Sequence, residues 1–95
     1  MVNICKKYGR EYNMDIKQLK YFLAIVEEGQ ITSAAKRLNM AQPPLSQQLK
    51  NLEEELGVKL VERGARHIKL TEAGKMLRNR AQQILELSDS TINEI

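Results

Sequence analysis

The sequence predicts a mainly α fold, in which three short helices and a small β-hairpin precede one long closing helix. Apolar residues recur at helical spacing in four separate segments. A glycine or asparagine stands just past each of the first three, where a left-handed residue ends a helix. Two short alternating runs flank Gly64–Ala65 between the third and fourth segments, the pattern of a hairpin.

Residues 1–13 (MVNICKKYGREYN) show neither period and are expected to be a loosely ordered, dispensable N-terminal extension. The first helix is expected from Asp15, a suitable N-cap, to Gly29, with Ile16, Leu19, Phe22, Leu23 and Val26 as its apolar stripe. Ile31, Ala34, Ala35 and Leu38 make a shorter second helix, which Thr32 or Ser33 could cap. Its two small alanines allow another helix to come close. Asn39 suits a left-handed turn.

Pro43 and Pro44 open the third helix, where a missing N–H is harmless. A residue before proline resists the α region, so the start is bracketed between Gln42 and Pro44. Leu45, Leu49, Leu52 and Leu56 share one face, and Gly57 ends the helix. The hairpin strands are expected at 59–63 and 66–70. Thr71 then caps the closing helix, with Glu72 at its positive end.

That last helix carries Leu77, Ala81, Ile84, Leu85, Ser88, Ile92 and Ile95 on one stripe, longer than a compact domain of this size can cover. The stripe predicts dimerisation with the same helix of a second subunit; the other reading is that it packs back on its own domain. The expected organisation is a domain at 14–71 and a linker helix at 72–95.

Bulk properties narrow the function. The chain has 95 residues, 42% hydrophobic and 28% charged, as in an ordinary soluble domain. Its single cysteine, Cys5, has no disulfide partner and no zinc ligand set beside it, which suits a reducing, cytoplasmic location. No apolar run approaches the ~20 residues of a membrane span, and no signal-peptide core follows the first lysines. The net charge is +3, but Lys6, Lys7 and Arg10 against Glu11 place +2 of it (three minus one) in the extension. The body is near neutral, so attraction to a polyanion must come from where charges sit.

The third helix has that placement. Ser46, Gln47, Gln48, Lys50 and Asn51 lie in its carboxylate-free first half, while Glu53, Glu54 and Glu55 crowd its second. Phosphate would accept the first half, where the helix dipole is positive, and repel the second. Glutamine can read adenine bidentately, and serine or lysine can take phosphates or base edges. A short helix, a tight turn and this helix make a helix-turn-helix able to enter a DNA groove. The hairpin adds Arg63, Arg66, His67 and Lys69, partly offset by Glu62, as a wing on phosphate or the minor groove.

The residues MDIKQLKYFLAIVEEG, ITSAAKRLNMAQPPLSQQLKNLEEELGVKL and LTEAG resemble the N-terminal DNA-binding region of LysR-type transcriptional regulators, from Met14 to about Leu87. The resemblance implies a winged helix-turn-helix followed by a dimerising linker helix in a bacterial regulator. By position it implies DNA contacts from Thr32, Ser33, Gln42, Pro43, Ser46, Gln47 and Lys50, with Pro44 and Gln48 beside them, and a wing carrying Arg63 and Arg66. Gln47 stands where the family often has arginine, and Val61 where it usually has phenylalanine, a loss of bulk that would loosen the wing. The family normally continues into a periplasmic-binding-protein-like effector domain. The chain stops first, as an excised domain or a natural short form would, so a small-molecule effector is not expected to bind it.

The expected function is therefore sequence-specific binding of double-stranded DNA, at a dyad-symmetric site, by a homodimer. Two alternatives share the fold: a module that dimerises with full-length relatives through the linker helix, and a winged-helix regulator of another type, such as the molybdate-responsive one. An enzyme is not expected, since no phosphate loop, metal cluster or nucleophile–base pair stands in the sequence. Aromatic content of 4% leaves few platforms for stacking unpaired RNA bases. No cofactor or metal is expected.

Overall fold

In the computed structural model, which describes residues 14–62 and 67–95, the chain is built from four helices and a two-stranded hairpin among the described residues. The expected extension at 1–13 lies outside the described residues. Helix α1 (Ile16–Glu28) begins with a capping box. The Asp15 carboxylate accepts the Gln18 backbone N–H at 2.8 Å, and the Gln18 side-chain oxygen accepts the Asp15 N–H at 3.1 Å. It ends at Gly29, left-handed at φ 76°, whose N–H donates to the Ile25 carbonyl at 2.9 Å.

The apolar face of α1 is wider than the expected stripe. Ile16 is exposed and Val26 half-buried, whereas Ala24 and Ile25 are buried. The reason is that α1 is covered from two sides. Phe22, Ala24 and Ile25 enter the main core, while Leu19 and Leu23 meet Ala81 of the closing helix in a second cluster. A helix packed on both flanks buries more than one stripe.

Helix α2 (Ile31–Arg37) lies close against its neighbours through buried Ala34 and Ala35. Neither Thr32 nor Ser33 caps it. Gln30 is the N-cap, with no side-chain cap bond; Ile31 is already helical, which puts both hydroxyls inside the first turn. The Ser33 hydroxyl instead donates to the Gln30 side-chain oxygen at 3.3 Å. Asn39 takes the left-handed position at φ 55°, and the Met40 N–H donates to the Ala35 carbonyl at 3.0 Å.

Helix α3 (Gln42–Leu56) starts at the first of its candidate positions, with both prolines in the first turn and extended Ala41 as N-cap. Leu45, Leu49 and Leu52 are buried in the main core, with Leu56 half-buried against it. Glu53 departs from the expected solvent-facing acidic end. It is 3% exposed, and its carboxylate accepts the backbone N–H groups of Leu60 at 2.8 Å and Val61 at 3.4 Å.

Strands β1 (Val61–Glu62) and β2 (Lys69–Leu70) pair antiparallel, Val61 with Leu70 and Glu62 with Lys69. Within the described residues the ladder is shorter than expected, because its would-be ends are bonded elsewhere. Leu60 gives its N–H to Glu53, and Ile68 gives its N–H to the Gly29 carbonyl at 2.7 Å, while the Leu60 carbonyl keeps the hairpin register by accepting the Thr71 N–H at 3.0 Å. The expected turn at Gly64–Ala65 lies outside the described residues. Val61 is buried in the main core, so the smaller side chain at this position is still a core residue.

Helix α4 (Glu72–Glu94) is capped by Thr71, whose hydroxyl oxygen accepts the Gly74 N–H at 3.1 Å. Gly74 is buried, and a Cβ there would collide with the Leu60 backbone carbonyl and press the Leu70 side chain. Only glycine lets the first turn of α4 sit this close to the hairpin. No described helix is long and apolar enough to cross a membrane.

Two substitutions test the packing. Leu49→Ala should destabilise by roughly 2–5 kcal/mol, and a near-unchanged urea midpoint would mean the inward face of α3 is misassigned. Gly74→Ala should cost roughly 1–3 kcal/mol by overpacking against the Leu60 carbonyl, read from the same midpoint at constant m-value.

Candidate nucleic-acid interface

With its leucines turned inward, α3 presents the opposite face to solvent. Gln42, Pro43, Pro44, Gln47, Lys50 and Asn51 are exposed, and Ser46 and Gln48 are half-buried at the edge of that face. Two bonds one turn apart organise it. The Gln42 amide donates to the Ser46 hydroxyl at 2.7 Å, and the Gln47 amide donates to the Asn51 side-chain oxygen at 2.8 Å. Both are exposed, so exchange for a bond to a base edge or phosphate carries a small net cost.

The first turn of α3 has no acidic residue. The helix dipole therefore acts on this face unopposed at close range, although Pro43 and Pro44 offer no N–H of their own. Glu54 is exposed but lies beyond the polar face toward the C-terminus, and Glu53 is turned into the protein. The acid-free first half and the acidic second half thus stand on the surface with one acid fewer than expected.

On α2, Thr32 and Lys36 are exposed, and Ser33 is half-buried beside Gln30. Arg37 is spoken for: its guanidinium lies 2.8 Å from the Glu27 carboxylate and 3.3 Å from that of Glu28. The hydrogen bond to Glu27, then that to Glu28, hold its pKa above the usual arginine value. This end of α2 is electrically neutralised.

From the hairpin, His67 and Lys69 are exposed, and Lys69 lies 3.8 Å from the Glu62 carboxylate. The expected wing residues Arg63 and Arg66 lie outside the described residues. No group of three or more His, Cys, Asp or Glu positioned to hold a metal occurs among the described residues.

The closing helix divides the expected dimerisation stripe in two. Ala81 is 0% exposed, and Leu77 and Leu85 pack with it, Leu19, Leu23 and Met14. These three serve their own domain; fully covered Ala81 has no surface left for a second copy. Ser88 is half-buried on the same side. Ile84, Ile92 and Ile95 are exposed.

Met76 and Leu87, absent from the expected stripe, are 61% and 68% exposed. At about 100° per residue, Met76, Arg80, Ile84, Leu87 and Thr91 form an outer stripe, about a quarter turn or more from the inner one. Its four-four-three-four spacing stands in the sequence, but Arg80 interrupts its apolar character.

Comparison with known proteins gives one consistent result. Residues 16–75 match the family model described as bacterial regulatory helix-turn-helix protein, lysR family. The chain is 51% identical over 83 residues to the HTH-type transcriptional regulator BsdA of Bacillus subtilis, covering 86% of this chain and 29% of BsdA. It is 46% identical over 80 residues to BenM of Acinetobacter baylyi, covering 84% of this chain and 26% of BenM. Among solved structures, the BenM DNA-binding domain in complex with catB site 1 DNA superposes with a TM-score of 0.84 at 46% identity, over 85% of this chain and 90% of that one. The CbnR DNA-binding domain in its DNA complex gives 0.82 at 46% identity, over 85% and 93%. The chain spans less than a third of the length of BsdA or BenM.

Proposed function

The chain belongs to the LysR family of bacterial regulatory helix-turn-helix proteins, and we propose that it binds double-stranded DNA sequence-specifically, as a homodimer, as the DNA-reading part of a cytoplasmic transcriptional regulator. The observation that carries this reading is the exposed, acid-free opening face of α3. The DNA complexes of the BenM and CbnR domains, which share this fold at 46% identity, support it.

In this reading α3 enters the major groove N-terminal end first. Gln47 and Gln48 face base edges, where an amide matches adenine. Lys50, Ser46, Gln42 and the rim formed by Pro43 and Pro44 sit on the groove wall, with Thr32 and Ser33 reaching the neighbouring phosphates from the start of α2. The hairpin, with His67, Arg63 and Arg66, grips the flanking backbone. Met76, Ile84 and Leu87 on the outer stripe of α4 meet a second copy, and Ile92 and Ile95, which continue the inner stripe past the domain, offer it further apolar surface. The two recognition helices then read a dyad-symmetric site with half-sites a whole number of turns apart.

Selection of bound duplexes from a random pool, followed by titration at about 50 and about 200 mM salt, tests this. The selected duplex should bind at least about 10³-fold tighter than random sequence. Lys50→Ala should weaken binding to every sequence and lower the salt slope by about one if Lys50 meets phosphate. Gln47→Ala should cost about 1–3 kcal/mol and relax the preference at one base pair. Equal affinity for all duplexes, or no salt slope, would refute the reading. Leu87→Glu should shift sedimentation from dimer to monomer while leaving the circular dichroism of the fold intact; an unchanged sedimentation coefficient would remove the outer stripe from the dimer.

A further inference from the structure

A buried carboxylate stands where the helix pattern favours an apolar side chain. Glu53 lies one turn past Lys50 on α3 and is nearly inaccessible, yet the main core beside it is otherwise apolar. Burying an acid costs desolvation free energy that a leucine would not. Such a residue is retained for direction: a carboxylate oxygen fixes where its donors sit, and packing alone does not.

The donors lie at a junction. Through its backbone carbonyl Glu53 accepts the N–H groups of Gly57 at 2.8 Å and Val58 at 3.2 Å, closing the end of α3. Through its carboxylate it accepts those of Leu60 and Val61, the root of the hairpin. The Leu60 carbonyl takes the Thr71 N–H at 3.0 Å, and the Thr71 hydroxyl donates to the Lys59 carbonyl at 2.7 Å. Thr71 is the N-cap of α4, and Gly74 lets its first turn rest on Leu60. A continuous polar bridge therefore runs from the base-facing helix to the start of the closing helix. The main packing of α4 is on α1 and β2.

We propose that Glu53 is a positioning residue that sets the angle of α3 relative to α4, and thereby the half-site spacing a dimer of this chain accepts. The inference rests on the DNA-binding reading above. In a dimer joined through α4, a small rotation of α3 about its end moves the two reading heads apart or together. Among the described residues, the bridge is a polar element that resists that rotation.

The test is a set of selected inverted-repeat duplexes whose half-site spacing changes one base pair at a time, with folding checked by circular dichroism. The unsubstituted chain should prefer one spacing by about tenfold over its neighbours, a difference of about 1.4 kcal/mol. Glu53→Gln keeps an acceptor for Leu60 and Val61 and should keep the preference. Glu53→Met removes the acceptor and should flatten the preference to less than about threefold while binding to an isolated half-site persists. A purely structural role would lower affinity evenly at every spacing and leave the preference unchanged, which would overturn the proposal. If Glu53→Met fails to fold, Thr71→Val removes the hydroxyl bond to the Lys59 carbonyl and the cap on Gly74 while the Thr71 N–H keeps its bond to Leu60, and should weaken the preference in part; a fully preserved preference there overturns it. DNA binding with no spacing preference in the unsubstituted chain sinks this proposal alone, whereas no DNA binding at all sinks both.

Discussion

Burial of Leu45, Leu49 and Leu52 along one side of α3 is the constraint on which the rest depends. A helix has one rotation about its axis, and spacings of four and three residues put these leucines on one side of it. Once they are inside, Gln42, Gln47, Lys50 and Asn51 have to be outside. The polar face is therefore a consequence of the core, and a helix held by its whole buried face presents its side chains on a rigid support. That rigidity matters for reading base edges, where misplacement by a fraction of an ångström loses a bidentate bond.

Charge on this domain works by subtraction as much as by addition. The described body is close to neutral, so a general attraction to polyanions is weak. Local placement replaces it. Arg37 is neutralised by Glu27 and Glu28, Lys69 is held near Glu62, and Glu53 is withdrawn from the surface. What remains on the polar face of α3 is the helix dipole and exposed Lys50, with no acid in the first turn. Weak general binding with strong local preference favours discrimination between sequences over affinity for any duplex.

Much of the fold was legible because its signals are local. Asp15, Gly29, Asn39, Gly57 and Thr71 each mark a helix end through bonds made within a few residues, and the structure keeps them all. The start of α3 was bracketed correctly but not fixed, because proline chemistry permits several first-turn registers. What stayed hidden depends on distant partners. Glu53 looks like one of three surface acids until the Leu60 and Val61 amides are brought to it. Gly74 looks like a weak point in a helix until a hairpin carbonyl occupies its missing Cβ. Ala81 and Leu85 read as part of one long stripe, and only the packing of α1 shows where the domain stops using that stripe. The exposed face of α3 was legible for the same reason as the core, being what helical periodicity leaves over, whereas Thr32 and Ser33 on α2 were singled out by the family resemblance.

The central claim is that the opening face of α3 meets DNA. Its most direct measurement is a two-dimensional NMR titration that follows the side-chain NH₂ groups of Gln42, Gln47, Gln48 and Asn51 as a selected duplex is added. The account predicts that these signals shift in step with binding, while the backbone amides of Leu49 and Leu52 keep their slow hydrogen exchange. Shifts confined to the C-terminal half of α4, with the α3 side-chain signals unmoved at saturation, would contradict it.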